Sequence, residues 1–154
     1  MPGSFFDTDV LLYTASKDAA KAARAETLIA AGGIISVQVL NEIANVARRK
    51  MGLAWAETRA LLATVRGLLS VQPITITVHD DGLALAERYG LSIYDGMIAA
   101  SALQAGCDTL WSEDMQDGMV LDRQVRILNP FVEQHPRPAG GPRSQPVRRR
   151  SRPL

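Results

Sequence analysis

The chain is 154 residues long, with 47% hydrophobic and 21% charged residues and a formal net charge of +1 at pH 7. That length can bury a core of roughly two-thirds of the unfolded surface; no apolar run nears the ~20 residues of a membrane helix, and the first residues reach Asp7 without a basic and apolar leader, so no secretory signal is expected. One cysteine excludes a disulfide framework, a thiolate zinc site and an iron–sulfur cluster, two histidines leave little room for histidine-rich metal chemistry, and a cytoplasmic protein is expected.

Ser4-Phe5-Phe6-Asp7 is predicted as a short buried strand ending in an acid, followed by helix-like apolar sequence through Val10, Leu11, Leu12 and Tyr13. Ala22, Ala25, Leu28 and Ile29 are spaced for a helix over 17–31, stopped by Gly32-Gly33. Residues 34–37 form a second apolar strand. Val39, Leu40, Ile43, Val46 and Ala47 then mark one face of a helix closing on Arg48-Arg49-Lys50, where cations suit the helix C-terminus. A helix is predicted over 54–70, ended by Pro73, then a strand at 74–76 and a helix over 78–89 stopped by Gly90. A small-residue helix over 94–105 precedes a strand at 109–111, an acidic loop and a last strand at 125–128. Short apolar strands alternating with helices predict an α/β domain, with a short, buried parallel sheet and helices on both faces.

Charge divides the chain in two. From His135 onward there are six arginines (Arg137, Arg143, Arg148, Arg149, Arg150 and Arg152) and no acid, together with five of the eight prolines. Residues 1–134 carry 11 basic against 16 acidic side chains. The domain is therefore assigned to 1–134, and 135–154 is expected to be a disordered basic tail too poor in apolar residues to fold. Such a coil spans about 25 Å end to end. It is either a tether for nucleic-acid phosphates or a solvated extension.

In α/β folds ligands bind beyond the carboxyl ends of the strands, and acids cluster at those places here. Asp7 ends the first strand and Asp9 follows it. Glu113, Asp114 and Asp117 follow the strand at 109–111. Asp95 opens a helix, where the dipole favours an anion. Glu42 stands on the edge of a helix face that must be largely buried, a costly place for a carboxylate without a partner or a cation. Each acid alone has a structural explanation, as a cap or a solvated loop charge. Converging on one mouth, they repel and need a counter-ion. Hard oxygen ligands select Mg²⁺, with Mn²⁺ an acceptable substitute, and magnesium on carboxylates suits phosphate-ester chemistry.

The segment from Phe5 to Tyr13 resembles the opening motif of PIN-domain nucleases, and more closely that of VapC-type toxins of toxin–antitoxin pairs. Ile35–Glu42 is similar to the second family motif, Ser92–Ala100 to the third and Leu110–Gly118 to the fourth, in order across residues 4–132. Asp9 stands where the family often has Asn, and the tail from His135 has no counterpart in the family pattern. The resemblance implies a PIN-like three-layer α/β/α domain and a Mg²⁺-dependent endoribonuclease that hydrolyses RNA with metal-activated water. It implies Asp7, Glu42, Asp95 and Asp114 as catalytic residues. Asp7 and Asp95 would be the primary metal ligands, Asp114 would complete the site directly or through water, and Asp117 is a further candidate ligand. Glu42 would orient or deprotonate the water, and Ser112 is the family's hydroxyl residue. The implied partners are RNA, a small antitoxin whose C-terminal segment lies beside the active site, and a second copy in a homodimer, with no membrane.

Arg48, Arg49 and Lys50 are candidate RNA contacts as well as helix-terminal charges. Trp55 and Trp111 are candidate base-stacking or packing residues. Two other readings stay open. Asp7-Thr8-Asp9 also fits a haloacid-dehalogenase-like phosphatase with Asp7 as nucleophile, although no lysine follows Ser36 in a convincing place. A non-catalytic PIN-like module that binds RNA or a partner is the other.

Overall fold

The computed structural model describes residues 3–132; the basic segment 135–154 lies outside the described residues. Phe5 and Phe6 are consecutive and both fully buried. Successive strand side chains point to opposite faces, so the sheet must be covered on both. β1 (Ser4–Phe6), β2 (Ile34–Ser36), β3 (Ser70–Gln72), β4 (Thr109–Trp111), β5 (Val120–Leu121) and β6 (Val125–Leu128) form one sheet in the order β3-β2-β1-β4-β6-β5. All pairings are parallel except that of β5 with β6.

The helices are α1 (Thr8–Leu12), continued by a 3₁₀ turn at Tyr13–Ala15, α2 (Ala19–Ala30), α3 (Val37–Arg49), α4 (Trp55–Leu68), α5 (Ile76–Tyr89) and α6 (Ile93–Gln104). The chain steps one way from β1 to β3, then returns past β1 to β4. Right-handed crossovers therefore place α1 to α4 on one face and α5 and α6 on the other, which makes three layers. Phe5, Ile35, Leu110 and Ile127 lie in the middle of these layers, all fully buried. Among the described residues no helix is long and apolar enough to cross a membrane.

Two expectations need correction. The predicted strand at 74–76 is not one: the strand is Ser70–Gln72, and Ile76 begins α5. Thr75 decides this, because its Oγ1 accepts the Val78 N–H at 3.2 Å and caps the helix. Ser70, Val71 and Gln72 instead pair with Ile34, Ile35 and Ser36. The sheet is also not wholly parallel. Within the acidic loop, Val120–Leu121 folds back on Val125–Leu128 through a turn with Asp122 and Arg123 at φ 46° and 59°. The Tyr89 hydroxyl holds that turn, accepting from Asp122 N at 2.8 Å and donating to Asp122 Oδ1 at 2.9 Å.

Candidate active site

β1 and β4 are neighbours whose onward connections leave toward opposite sides of the sheet. The loops part there, and the crevice they leave is where α/β sheets bind ligands. A cleft of about 360 Å³ opens at this point, and Asp7, Asp9, Glu42, Asp95 and Asp114 all line it. They come from four segments of the chain: the β1–α1 junction, α3, α6 and the loop after β4. Lys50, at the end of α3, also borders it.

Asp7 is held hardest. Its extended backbone lets it cap α1, with Oδ1 accepting the Thr8 N–H at 2.7 Å. Its Oδ2 accepts from Ser112 Oγ at 2.8 Å. The side chain is almost wholly buried, and loss of hydration pushes its carboxyl up to about 7. Those two hydrogen bonds oppose the rise, and Asp95 and Glu42 add to it.

Asp9 lies one position into α1. Its Oδ2 accepts two backbone N–H bonds, from Glu113 at 3.0 Å and Asp114 at 3.1 Å. The carboxylate thereby anchors the loop after β4 onto α1. Its Oδ1 is buried with no hydrogen-bond partner among the described residues. Burial first, then the charges of Asp7 and Asp114, push Asp9 up to about 8.

Glu42 is fixed from two sides: Thr8 Oγ1 donates to Oε2, and Gln38 Nε2, one turn back on α3, donates to Oε1 at 3.1 Å. Asp95 sits in the first turn of α6, where its N–H donates to the Ser92 Oγ cap at 3.1 Å. Burial, with Glu42 and Asp114 nearby, raises its carboxyl above the usual range against the effect of the Ser92 bond. The next residue sets the height of this turn. A Cβ on Gly96 would lie 2.4 Å from the Gly82 carbonyl oxygen, so only glycine lets α6 rest on the backbone of α5.

Other site candidates fall elsewhere. Asp117 does not line the cleft; its Oδ1 accepts the Asn129 N–H at 2.8 Å and ties the loop after β4 to the end of β6. Arg48 and Arg49 stand outside the cleft and only Lys50 of that triplet reaches it. Trp111 Nε1 donates to Ser4 Oγ at 3.2 Å, as a packing residue of the sheet would. Thr8 and Gln38, the partners of Glu42, were not singled out from the sequence. Gln38 stands four residues before Glu42, on the same helix face, so helical spacing carried the signal.

The donors suit a hard divalent cation: they are all oxygen, they crowd one another, and Asp9 offers a buried, unpartnered Oδ1. Among the described residues no three His, Cys, Asp or Glu side chains are gathered into a cluster that closes on one ion. A second cavity, about 350 Å³ and strongly apolar, lies between α1, α2, α3 and α4; Ile29, Ile43, Leu61, Val65 and Leu68 line it, and Leu12 borders both cavities.

The PIN domain model matches residues 4–116. No curated protein matches the chain. Among solved structures, a toxin–antitoxin complex from Klebsiella pneumoniae shares 21% identity at a TM-score of 0.63, over 83% of this chain and 98% of that one. VapC20 of Mycobacterium tuberculosis, a sarcin–ricin loop cleaving toxin, shares 19% identity at 0.59, over 72% and 91%. DNA-bound VapBC from Salmonella typhimurium shares 21% identity at 0.58, over 82% and 97%.

Proposed function

The chain belongs to the PIN-domain family, and from that premise we propose that it is a metal-dependent endoribonuclease, the toxin of a toxin–antitoxin pair. One observation carries the reading: five carboxylates from four segments line a single cleft at the β1–β4 switch point. Of the similar structures one is a toxin–antitoxin complex, one is VapBC bound to DNA and one is a sarcin–ricin loop cleaving toxin.

The residues divide the work. Asp7, Asp95 and Asp114 would hold Mg²⁺ or Mn²⁺, with Asp9 beside them through its unpartnered oxygen. When bound, the cation lowers the pKa of its water and offsets charge on the phosphoryl oxygens. Glu42, oriented by Thr8 and Gln38, would take the proton from the attacking water. Ser112 keeps Asp7 facing the cleft. Lys50 at the rim would draw in the RNA backbone. The PIN-domain match displaces the phosphatase alternative. Against a non-catalytic module stands the presence of all four acids of the family pattern in one cleft.

An antitoxin segment fits the apolar groove between α1 and α4 as an amphipathic helix would. Because Leu12 is common to groove and cleft, a chain laid there is led toward the carboxylates. We place the protein in the cytoplasm, as a homodimer. The test is cleavage of total RNA by purified protein with Mg²⁺ or with chelator, beside Asp7→Asn and Asp95→Asn variants of verified fold. Metal-dependent cleavage lost in both variants is the expected result. No cleavage by folded, metal-loaded, antitoxin-free protein would overturn the reading.

A further inference from the structure

Trp55 is the first residue of α4 and remains 58% exposed. Burying an indole is among the larger gains a side chain offers, and this fold leaves it in solvent. Two guanidinium groups attend it, Arg48 at 4.3 Å from the ring centre and Arg59 at 5.9 Å. Arg48 is itself fixed, donating to the Leu53 carbonyl at 2.6 Å. Arg59 stands at the outer limit of such contacts, so the exposed part of the residue is left open to a ligand.

The surroundings carry a sign. Residues 1–134 are acidic in sum, yet Arg48, Arg49, Lys50, Arg59 and Arg66 fall within nineteen residues that contain one acid, Glu57. That carboxylate is engaged at the helix start, where Oε1 accepts the Ala54 N–H at 3.0 Å. Lys50 borders the catalytic cleft and Trp55 follows five residues later, so their Cα atoms lie within about 18 Å. An exposed aromatic face flanked by guanidinium groups, beside a cationic rim, is the combination that holds single-stranded nucleic acid: bases stack and phosphates pair.

We propose that Trp55, with Arg48 and Arg59, is a stacking platform for an unpaired base of the RNA whose backbone enters the cleft past Lys50. The platform rests on the ribonuclease reading and selects unpaired over paired RNA, because a base in a duplex has no free face to offer.

The test is fluorescence anisotropy of a labelled single-stranded RNA of about 12 nucleotides, titrated with full-length protein silenced by Asp95→Asn. Trp55→Ala is expected to weaken binding about 5- to 100-fold, while Trp55→Tyr keeps the affinity within about 3-fold, because any aromatic face stacks a base. Trp55→Ala should leave the salt dependence of the affinity unchanged, whereas Lys50→Ala should reduce its log–log slope by about 0.7. Unchanged affinity in Trp55→Ala, with wild type cleaving RNA, overturns the platform and leaves the nuclease standing. So does unchanged affinity accompanied by a dimer-to-monomer shift in sedimentation, which assigns the patch to a second copy. RNA held through Trp55 by a wild type that never cuts it supports the platform and overturns the nuclease. Absence of RNA binding overturns both.

Discussion

Ser112 Oγ donates a 2.8 Å hydrogen bond to Asp7 Oδ2, joining the ends of β4 and β1 inside the protein. Ser112 is fully buried, and its oxygen also accepts the Met115 N–H at 3.2 Å. Ser112→Ala therefore orphans an amide and strips a donor from a buried carboxyl. A loss of about 1–3 kcal/mol in stability is expected in denaturant unfolding. Metal affinity or cleavage rate should fall about 10- to 100-fold, as when other supports of metal ligands are removed. Unchanged metal titration in a folded Ser112→Ala protein would refute the role.

The raised carboxyls make metal-free stability depend on pH. Asp7 and Asp9 rise from 3.8 to about 7 and about 8 on folding. Between those values the folded state binds more protons than the unfolded, so stability is full below the unfolded pKa and drains as pH rises through the folded ones. In chelator, Tm should drop by several degrees from about pH 5 to about pH 8. A rising Tm over that interval would contradict the burial of these groups.

Magnesium should reverse the trend. A cation binds ionised carboxylates and releases their protons, and whatever binds only the folded state stabilises it. The gap between thermal melts with Mg²⁺ and with chelator should widen as pH rises. Equal melts at pH 8 would argue against a cation in this cleft.

Asp7→Asn and Asp9→Asn separate stability from activity. Each substitution removes a buried charge among like charges, so the metal-free protein at pH 8 should melt no lower than wild type, and its pH dependence should flatten. Cleavage should nevertheless fall by about 10²-fold or more for Asp7→Asn, through loss of charge stabilisation at the reacting phosphate. Thermal melts and single-turnover cleavage on the same samples check both halves.

Gly96→Ala tests how Asp95 is positioned. The new Cβ would meet the Gly82 carbonyl oxygen at 2.4 Å, and backbone there cannot swing aside as a side chain would. The helices must part, at about 1–3 kcal/mol, and Asp95 moves with α6. Cleavage should fall more than stability alone explains, with the folded fraction measured by circular dichroism. Full activity per folded molecule would show that the height of α6 is not critical.

Local chemistry explains which features could be read along the chain. β1, β2, β4 and β6 are apolar runs bounded by turns or acids, so their burial was visible residue by residue. β3 was not: Ser70-Val71-Gln72 has one apolar residue and joins the sheet through its pairing with β2. Ile74-Thr75-Ile76 has better strand residues, but the Thr75 hydroxyl caps a helix instead. β5, two residues long, depends on a left-handed turn pinned by Tyr89, thirty-three positions away.

The sequence alone determined the alternation of strand and helix, and with it the ends of β1 and β4 where carboxylates must gather. It also supplied acids enough to require a counter-ion, because charge and hydrophobic period are properties of neighbouring residues. Tertiary structure decided which acids share the cleft. Asp9 and Asp117 both follow a strand and look alike in sequence, yet Asp9 turns inward to bind the 113–114 amides while Asp117 binds the Asn129 amide just past β6. Their fates diverge because each carboxylate goes to the unpaired backbone N–H groups within reach, and folding alone determines where those groups lie.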